Sequence, residues 1–251
     1  MEDELIRRAE DLAARCERSG CVTAGTFLTP AQVYAVEQWA RHGSPVTCLL
    51  RGGYDGAERQ VAFFLPDWME PETLDAELDE HLCALELTAH FGAPGHRDYL
   101  GAALGLGIGR EWLGDILLDG SRAWLICLPS VKQHLLLNLD KVGRCGVKVR
   151  EIPLRDLPRQ ERRLREVVFS VKSLRLDAVC AGMFNLSRTA AAEAIGQGLV
   201  SLNYSECTKT DAPIRDGDIL SLRGKGKGQV LEAGDTQSRK GRLFVKAGVY
   251  Q

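Results

Sequence analysis

Apolar residues recur along this chain with two periods, and the changes between them mark its elements. The opening MEDELIRRAEDLAARCERSG is an amphipathic helix of acidic and basic residues. TPAQVYAVEQWARH predicts a second helix, with Thr29 as N-cap, Pro30 at the first helical position, and Val33, Val36, Trp39 and Ala40 on its apolar side. PVTCLLRGGYDGAERQVAFFLP reads as two strands around a glycine-rich turn. PDWMEPETLDAELDEH leads out of it with two prolines and an acidic run. Residues 1–75 are thus expected to form a small α+β module.

From 82 to 155 the pattern gives a readable order. LCALELTAHF predicts a strand and HRDYLGAALGLG a helix ending on glycine. WLGDILLDG and RAWLICLP are two strands separated by the hairpin pair Asp119–Gly120. SVKQHLLLNLDKVG predicts a helix capped by Ser130 and closed by Gly143, and GVKVREIPL the last strand. This β-α-β-β-α-β order is that of ferredoxin-like and RNA-recognition-motif folds, which carry many functions. An RNA-recognition sheet stacks bases on alternating aromatics. Here Arg122, Trp124 and Ile126 alternate, a single aromatic, so Trp124 is expected to pack rather than stack.

The third region, 165–251, begins with the strand ERRLREVVFSV. Ser173 is expected to cap a helix from Leu174 to Phe184, and Asn185-Leu-Ser to make a tight connection. Ser187 caps an alanine-rich helix from Arg188 that stops at Gly196–Gly198. Strands follow at LVSLNYSE, DILSLRG, GQVLEAG and GRLFVKAGV. The fold class is α+β.

Composition adds one asymmetry. The 251 residues are 45% apolar and 26% charged, as in globular proteins, with a net charge of −2. Residues 1–149 hold 14 Lys and Arg against 22 Asp and Glu, a net −8; residues 150–251 hold 18 against 12, a net +6. A basic region beside an acidic one points to nucleic-acid contact at one end. No signal peptide or membrane-length apolar run is visible, and the eight scattered cysteines lack paired ligand spacing. Reduced, mostly buried cytoplasmic thiols are expected.

The candidate chemistry is electrostatic. Arg175 and Arg188 fall early in predicted helices, where a cation opposes the helix dipole unless an anion joins it. For Arg188 that anion is a phosphate of RNA or, within the chain, Asp177. RGKGKG, Arg223 to Gly228, sets Lys225 and Lys227 among exposed amides suited to phosphate, or forms an ordinary hairpin tip. It lacks the spacing of a nucleotide-hydrolysing loop. GLGIGREWLG departs from dinucleotide-loop spacing and reads as a turn exposing Arg110. The five histidines include no pair at ligand spacing, so neither metal nor cofactor is expected.

Arg175-Leu-Asp177, Ser187-Arg188, the alanine helix, GLVSLN and IRDGDILSLRG together resemble the RNA-binding domain first seen in small-subunit ribosomal protein S-four. HRDYLGAALGLGIGREWLGDILL, with TFLTP and GGYDGAERQVAFF, resembles the YlmH family, in which that domain is C-terminal. The resemblance implies a non-enzymatic, cytoplasmic bacterial protein that binds rRNA and tRNA on the large ribosomal subunit. It would act in quality control of stalled nascent chains, and a link to cell division has been suggested. The RNA contacts expected are Arg175, Ser187, Arg188, Thr189, Lys209, Arg223, Lys225, Lys227, Arg239, Lys240 and Arg242. Arg110, Arg122 and Lys132 form a second set on the middle module. After RGKG many relatives carry a further basic residue, where this chain has Gly228-Gln229. A monomer is expected, with contact to a ribosomal protein through the acidic first module. Two alternatives stand beside this: an RNA-modifying enzyme and a protein-binding adaptor. Arg175-Leu-Asp177 resembles the catalytic stretch of pseudouridine synthases, but AVCAGMF follows where those enzymes continue with Thr/Ser-Gly.

Overall fold

The computed structural model describes residues 2–159, 164–237 and 241–250. The chain divides into two compact units, Met1–Gln160 and Glu161–Gln251. Both mix helices with antiparallel sheets. No helix among the described residues is long and apolar enough to cross a membrane.

The first unit begins with α1 (Glu2–Ser19), β1 (Thr23–Leu28), α2 (Pro30–Gly43), β2 (Thr47–Arg51) and β3 (Gln60–Leu65). The strands form a sheet in the order β1-β3-β2. Helix α2 starts as its sequence predicts: the Thr29 amide donates to Gln32 Oε1 at 2.9 Å, and the Thr29 side chain accepts from the Gln32 amide. The acidic exit coils into two short helices, α3 (Pro71–Ala76) and α4 (Leu78–His81).

Next come β4 (Cys83–Ala89), α5 (His96–Gly105), β5 (Leu113–Asp119), β6 (Arg122–Cys127), α6 (Pro129–Asn138), β7 (Lys141–Val142) and β8 (Cys145–Ile152). Their sheet order is β5-β6-β4-β8-β7. Helices α5 and α6 cover one face, burying Leu85, Leu87 and Leu125 with Tyr99, Ala103 and Leu135. On the other face Ala84, Trp124, Ile126 and Ile152 pack against Phe27, Val61, Phe63 and Leu65 of the three-stranded sheet. The stretches 1–75 and 82–155, read from sequence as separate modules, therefore share a core. Strand β3 explains how. Its VAFFL run is apolar throughout rather than alternating, because Ala62 and Phe64 face α1 and α2 while Val61, Phe63 and Leu65 face the second sheet. Trp124 is 4% exposed and packs.

Helix α6 is shorter than expected. It begins on Pro129, which suits a first helical position, rather than on a Ser130 cap, and it ends at Asn138. Lys141–Val142 instead pairs back on Cys145–Gly146 around Gly143, whose φ of 58° closes the turn.

The second unit contains β9 (Leu164–Val171), α7 (Leu176–Met183), α8 (Arg188–Gly196), β10 (Val200–Leu202), β11 (Ser205–Glu206), β12 (Ile219–Leu222), β13 (Gly226–Gln237) and β14 (Leu243–Tyr250). The sheet order is β11-β10-β12-β13-β14-β9. The two helices share a core with it, where Leu176, Val179, Cys180, Met183 and Ile195 meet Leu220, Val230, Val245 and Ala247. Helix and sheet come close at Gly182, where a Cβ would sit 2.1 Å from the Phe169 ring. LVSLNYSE, expected as one strand, is folded into the hairpin β10–β11. Asn203 and Tyr204, at φ 49° and 68°, make its two-residue turn.

Helix α7 also differs from expectation. It starts at Leu176 with Arg175 as N-cap, and Ser173 does not cap it. Arg175 is extended and bridges to Pro213, while the Leu176 and Asp177 amides donate to the Ala212 and Thr210 carbonyls at 2.9 and 3.0 Å. A loop about thirty residues downstream thus supplies what a capping side chain would have supplied.

Of the eight cysteines, all free, Cys16, Cys83, Cys127 and Cys180 are buried and Cys21 is exposed.

Candidate nucleic-acid interface

The C-terminal unit organises its first cluster of cations around one carboxylate. Asp177, in the first turn of α7, is 6% exposed. It accepts from Arg188 Nη2 at 2.6 Å and from Arg175 Nε at 3.3 Å. Burial alone would raise this carboxyl, but the hydrogen bonds from Arg188 and Arg175 outweigh it and hold the group below the usual carboxylate range. The intramolecular pair offered by the sequence is therefore made. It fixes the direction of two long side chains without burying them, since Arg188 remains 55% and Arg175 42% exposed. Each guanidinium has five N–H donors, and these bonds use a fraction of them.

Neighbouring elements complete the cluster. The Ser187 side chain accepts from the Ala190 amide at 3.1 Å and caps α8, so Arg188 and Thr189 stand exposed in its first turn. Lys209 is exposed on the loop whose next residue, Thr210, caps α7. The structure thus gathers Arg175, Arg188 and Lys209 at the start of α7 and Ser187, Arg188 and Thr189 at the start of α8. A cleft of about 550 Å³ opens beside Arg188, lined also by Lys172, Gly182, Asn185 and Arg242. Arg242 Nη2 donates to the Ser170 carbonyl at 2.6 Å, which holds it at the rim. Lys172 was not among the expected contacts. Its place in the cleft depends on the packing of β9 against α7, which no local motif signals.

The glycine-punctuated hairpin divides its cations between two roles. Arg223 and Lys225 are exposed at the β12–β13 turn. Lys227 lies on β13, with its Nζ 5.1 Å from the ring centroids of both Tyr204 and Tyr250. A lysine between two aromatic faces is held by cation–π attraction and is less free than a loop tip would make it. No local sequence signal marks the two tyrosines, because they reach Lys227 only through the strand register. Gly228 packs where a Cβ would lie 2.6 Å from Met183 Sδ, so this position has little room for any side chain. Arg239 and Lys240 lie outside the described residues.

The second set fares differently. Arg110, expected to be exposed, is half-buried and turned inward. Its Nη1 donates to the Leu113 and Gly114 carbonyls, both at 2.9 Å, and burial together with the nearby Arg59 charge pushes its pKa down to about 10. Arg122 is exposed, pairs with Asp119 at 3.1 Å and lies over the Trp124 ring. Lys132 pairs with Glu151 at 2.9 Å, a hydrogen bond that raises the lysine pKa. Arg122 and Lys132 are surface positions, whereas Arg110 is a structural clamp.

Residues 71–156 match the family model described as "Putative RNA-binding domain in YlmH". The "Ribosome-associated protein quality control protein P2" of Bacillus subtilis (strain 168) is 33% identical over 195 residues, covering 76% of this chain and 74% of that protein. Among solved structures, "Cell division protein ylmH from Streptococcus pneumoniae" aligns with a TM-score of 0.50 at 23% identity, over 62% of this chain and 93% of that one. At that identity the likeness concerns the fold alone.

Proposed function

Because the chain belongs to the YlmH family, we propose that it is a ribosome-associated RNA-binding protein serving the quality control of stalled nascent chains. In this reading residues 165–251 are an RNA-binding domain of the ribosomal-protein-S-four type, and residues 82–155 a ferredoxin-like module related to RNA-recognition motifs. The protein acts in the cytoplasm as a monomer, without metal, cofactor or catalysis, on a large subunit carrying tRNA. The observation that carries the reading is the buried Asp177 holding Arg175 and Arg188 half-exposed beside the Ser187-capped helix. A pre-oriented pair of guanidinium groups at a helix start suits structured RNA phosphate. The same two bonds support a positioning role for Asp177 over the catalytic role of the enzyme alternative.

The test compares the two units. A fragment of residues 161–251 should bind structured RNA with a steep inverse salt dependence, because phosphate contacts release counterions. A fragment of residues 1–160 should bind far more weakly. Equal affinities at moderate salt would contradict this reading.

A further inference from the structure

The face of the five-stranded sheet that packs on the N-terminal sheet is covered over only part of its length. Its remaining part carries a row of cations. The register pairs Thr88 with both Arg122 and Lys148, and Glu86 with both Trp124 and Arg150. Residues paired across antiparallel strands, and residues two apart along a strand, share a face. Arg122, Lys148 and Arg150 therefore stand on the same face as Trp124. Lys141, paired with Gly146, extends the row onto β7. His90 belongs to it as well, since a Cβ on Gly146 would meet its ring at 3.1 Å. Arg122, Lys148, Arg150, Lys141 and Thr88 are all exposed. With neighbouring strands about 4.8 Å apart, the stripe from Arg122 to Lys141 crosses roughly 14 Å of sheet.

The acids on this face engage two of its four cations and leave the other two. Glu86, buried, is taken by Arg150, and Asp119 by Arg122. Among the described residues Lys141 and Lys148 have no ion pair. Among the described residues no exposed apolar or aromatic anchor stands on the paired strand positions of the patch, and Phe91, 60% exposed, follows His90 beyond the end of β4. The patch's own aromatic, Trp124, is 4% exposed beneath Arg122. Stacking on Trp124 is blocked for the same reason, whereas phosphate contact needs cations and polar donors alone.

We propose that this open half of the sheet, centred on Lys141, Lys148, Arg150 and Arg122, is a second RNA-binding face that grips the phosphate backbone of structured RNA without stacking bases on Trp124. It rests on the reading of the protein as an RNA binder and adds where the first unit makes contact and how. A module of the RNA-recognition type would here use the rim of its sheet, because its centre is occupied by the three-stranded sheet. Two weak sites on one chain reinforce each other through effective concentration, which gives the first unit a direct part in affinity.

The experiment uses the full-length protein and its Lys141→Ala/Lys148→Ala variant, both positions being exposed and outside any ion pair among the described residues. The probes are rRNA extracted from large subunits and intact large subunits, over 50 to 200 mM salt. Loss of two phosphate contacts should make the salt slope shallower by about 2 and shrink the affinity ratio across that range by about tenfold. An unchanged slope, with the parent protein binding well, overturns the inference and leaves the functional reading intact. Weaker binding to subunits with unchanged binding to extracted rRNA would assign the face to a protein and overturns it too. Failure of the parent protein to bind either probe sinks the functional reading, and the inference with it.

Discussion

Arg188→Glu should lower the affinity for structured RNA by roughly 1–3 kcal/mol, the range of charge-assisted contacts. It should also destabilise the C-terminal unit, because Arg188 makes the 2.6 Å bond to the buried Asp177. The substitution sets a second carboxylate beside the first. The stability cost is discounted to about 1–2 kcal/mol, since Arg188 is 55% exposed and solvent screens its side of the pair. Lost affinity could then reflect lost folding alone. Asp177→Asn separates the two effects, because it breaks the same pair and keeps the cation. RNA titrations well below both melting temperatures should find Arg188→Glu much the weaker binder. Equal losses in the two variants would make Arg188 structural and remove it from the interface.

The second large effect lies in the first unit. Arg59→Leu should destabilise it by about 1–3 kcal/mol, or roughly 2–12 °C in melting temperature for a unit of this size. Arg59 is 8% exposed. Its Nε donates to the Leu113 carbonyl at 2.9 Å, and its Nη2 to the Phe27 and Arg110 carbonyls at 3.2 and 3.1 Å. Burial lowers its pKa, so the charge is costly to keep and leucine recovers that cost. The carbonyls decide the sign. They are backbone groups that no side-chain substitution removes, and leucine offers them no donor. Leu113 keeps its bond from Arg110 and the Arg110 carbonyl keeps that from the Leu113 amide, whereas Phe27 loses its bond from Arg59. RNA affinity of the isolated C-terminal unit, which lacks this site, gives the reference. A thermal melt of Arg59→Leu within 2 °C of the parent would contradict the clamp role.

What the sequence made legible was what short range decides. Thr29 and Pro30 announce α2 because a capping box is complete within four residues, and Asp119–Gly120 announces its hairpin for the same reason. The order of elements in 82–155 could be read because each is bounded by its own turn chemistry. Long-range packing set the rest. The start of α7 is fixed by carbonyls of Thr210 and Ala212, so Ser173 looked like a cap. Arg110 looked exposed beside its glycines, but the carbonyls of Leu113 and Gly114 bend back to receive it. Arg188 was legible as a functional candidate, and its partner Asp177 as the rival, because both sit at helix starts. The cation stripe of Lys141, Lys148 and Arg150 was invisible, since it exists only once strand register aligns residues dozens of positions apart.

The most direct measurement of the central claim is sedimentation of full-length protein with separated ribosomal subunits. The protein should travel with large subunits, best when tRNA remains bound, and chelator or removal of nucleotides should leave the association unchanged. Exclusive association with small subunits, or turnover of an RNA base by the purified protein, would contradict it.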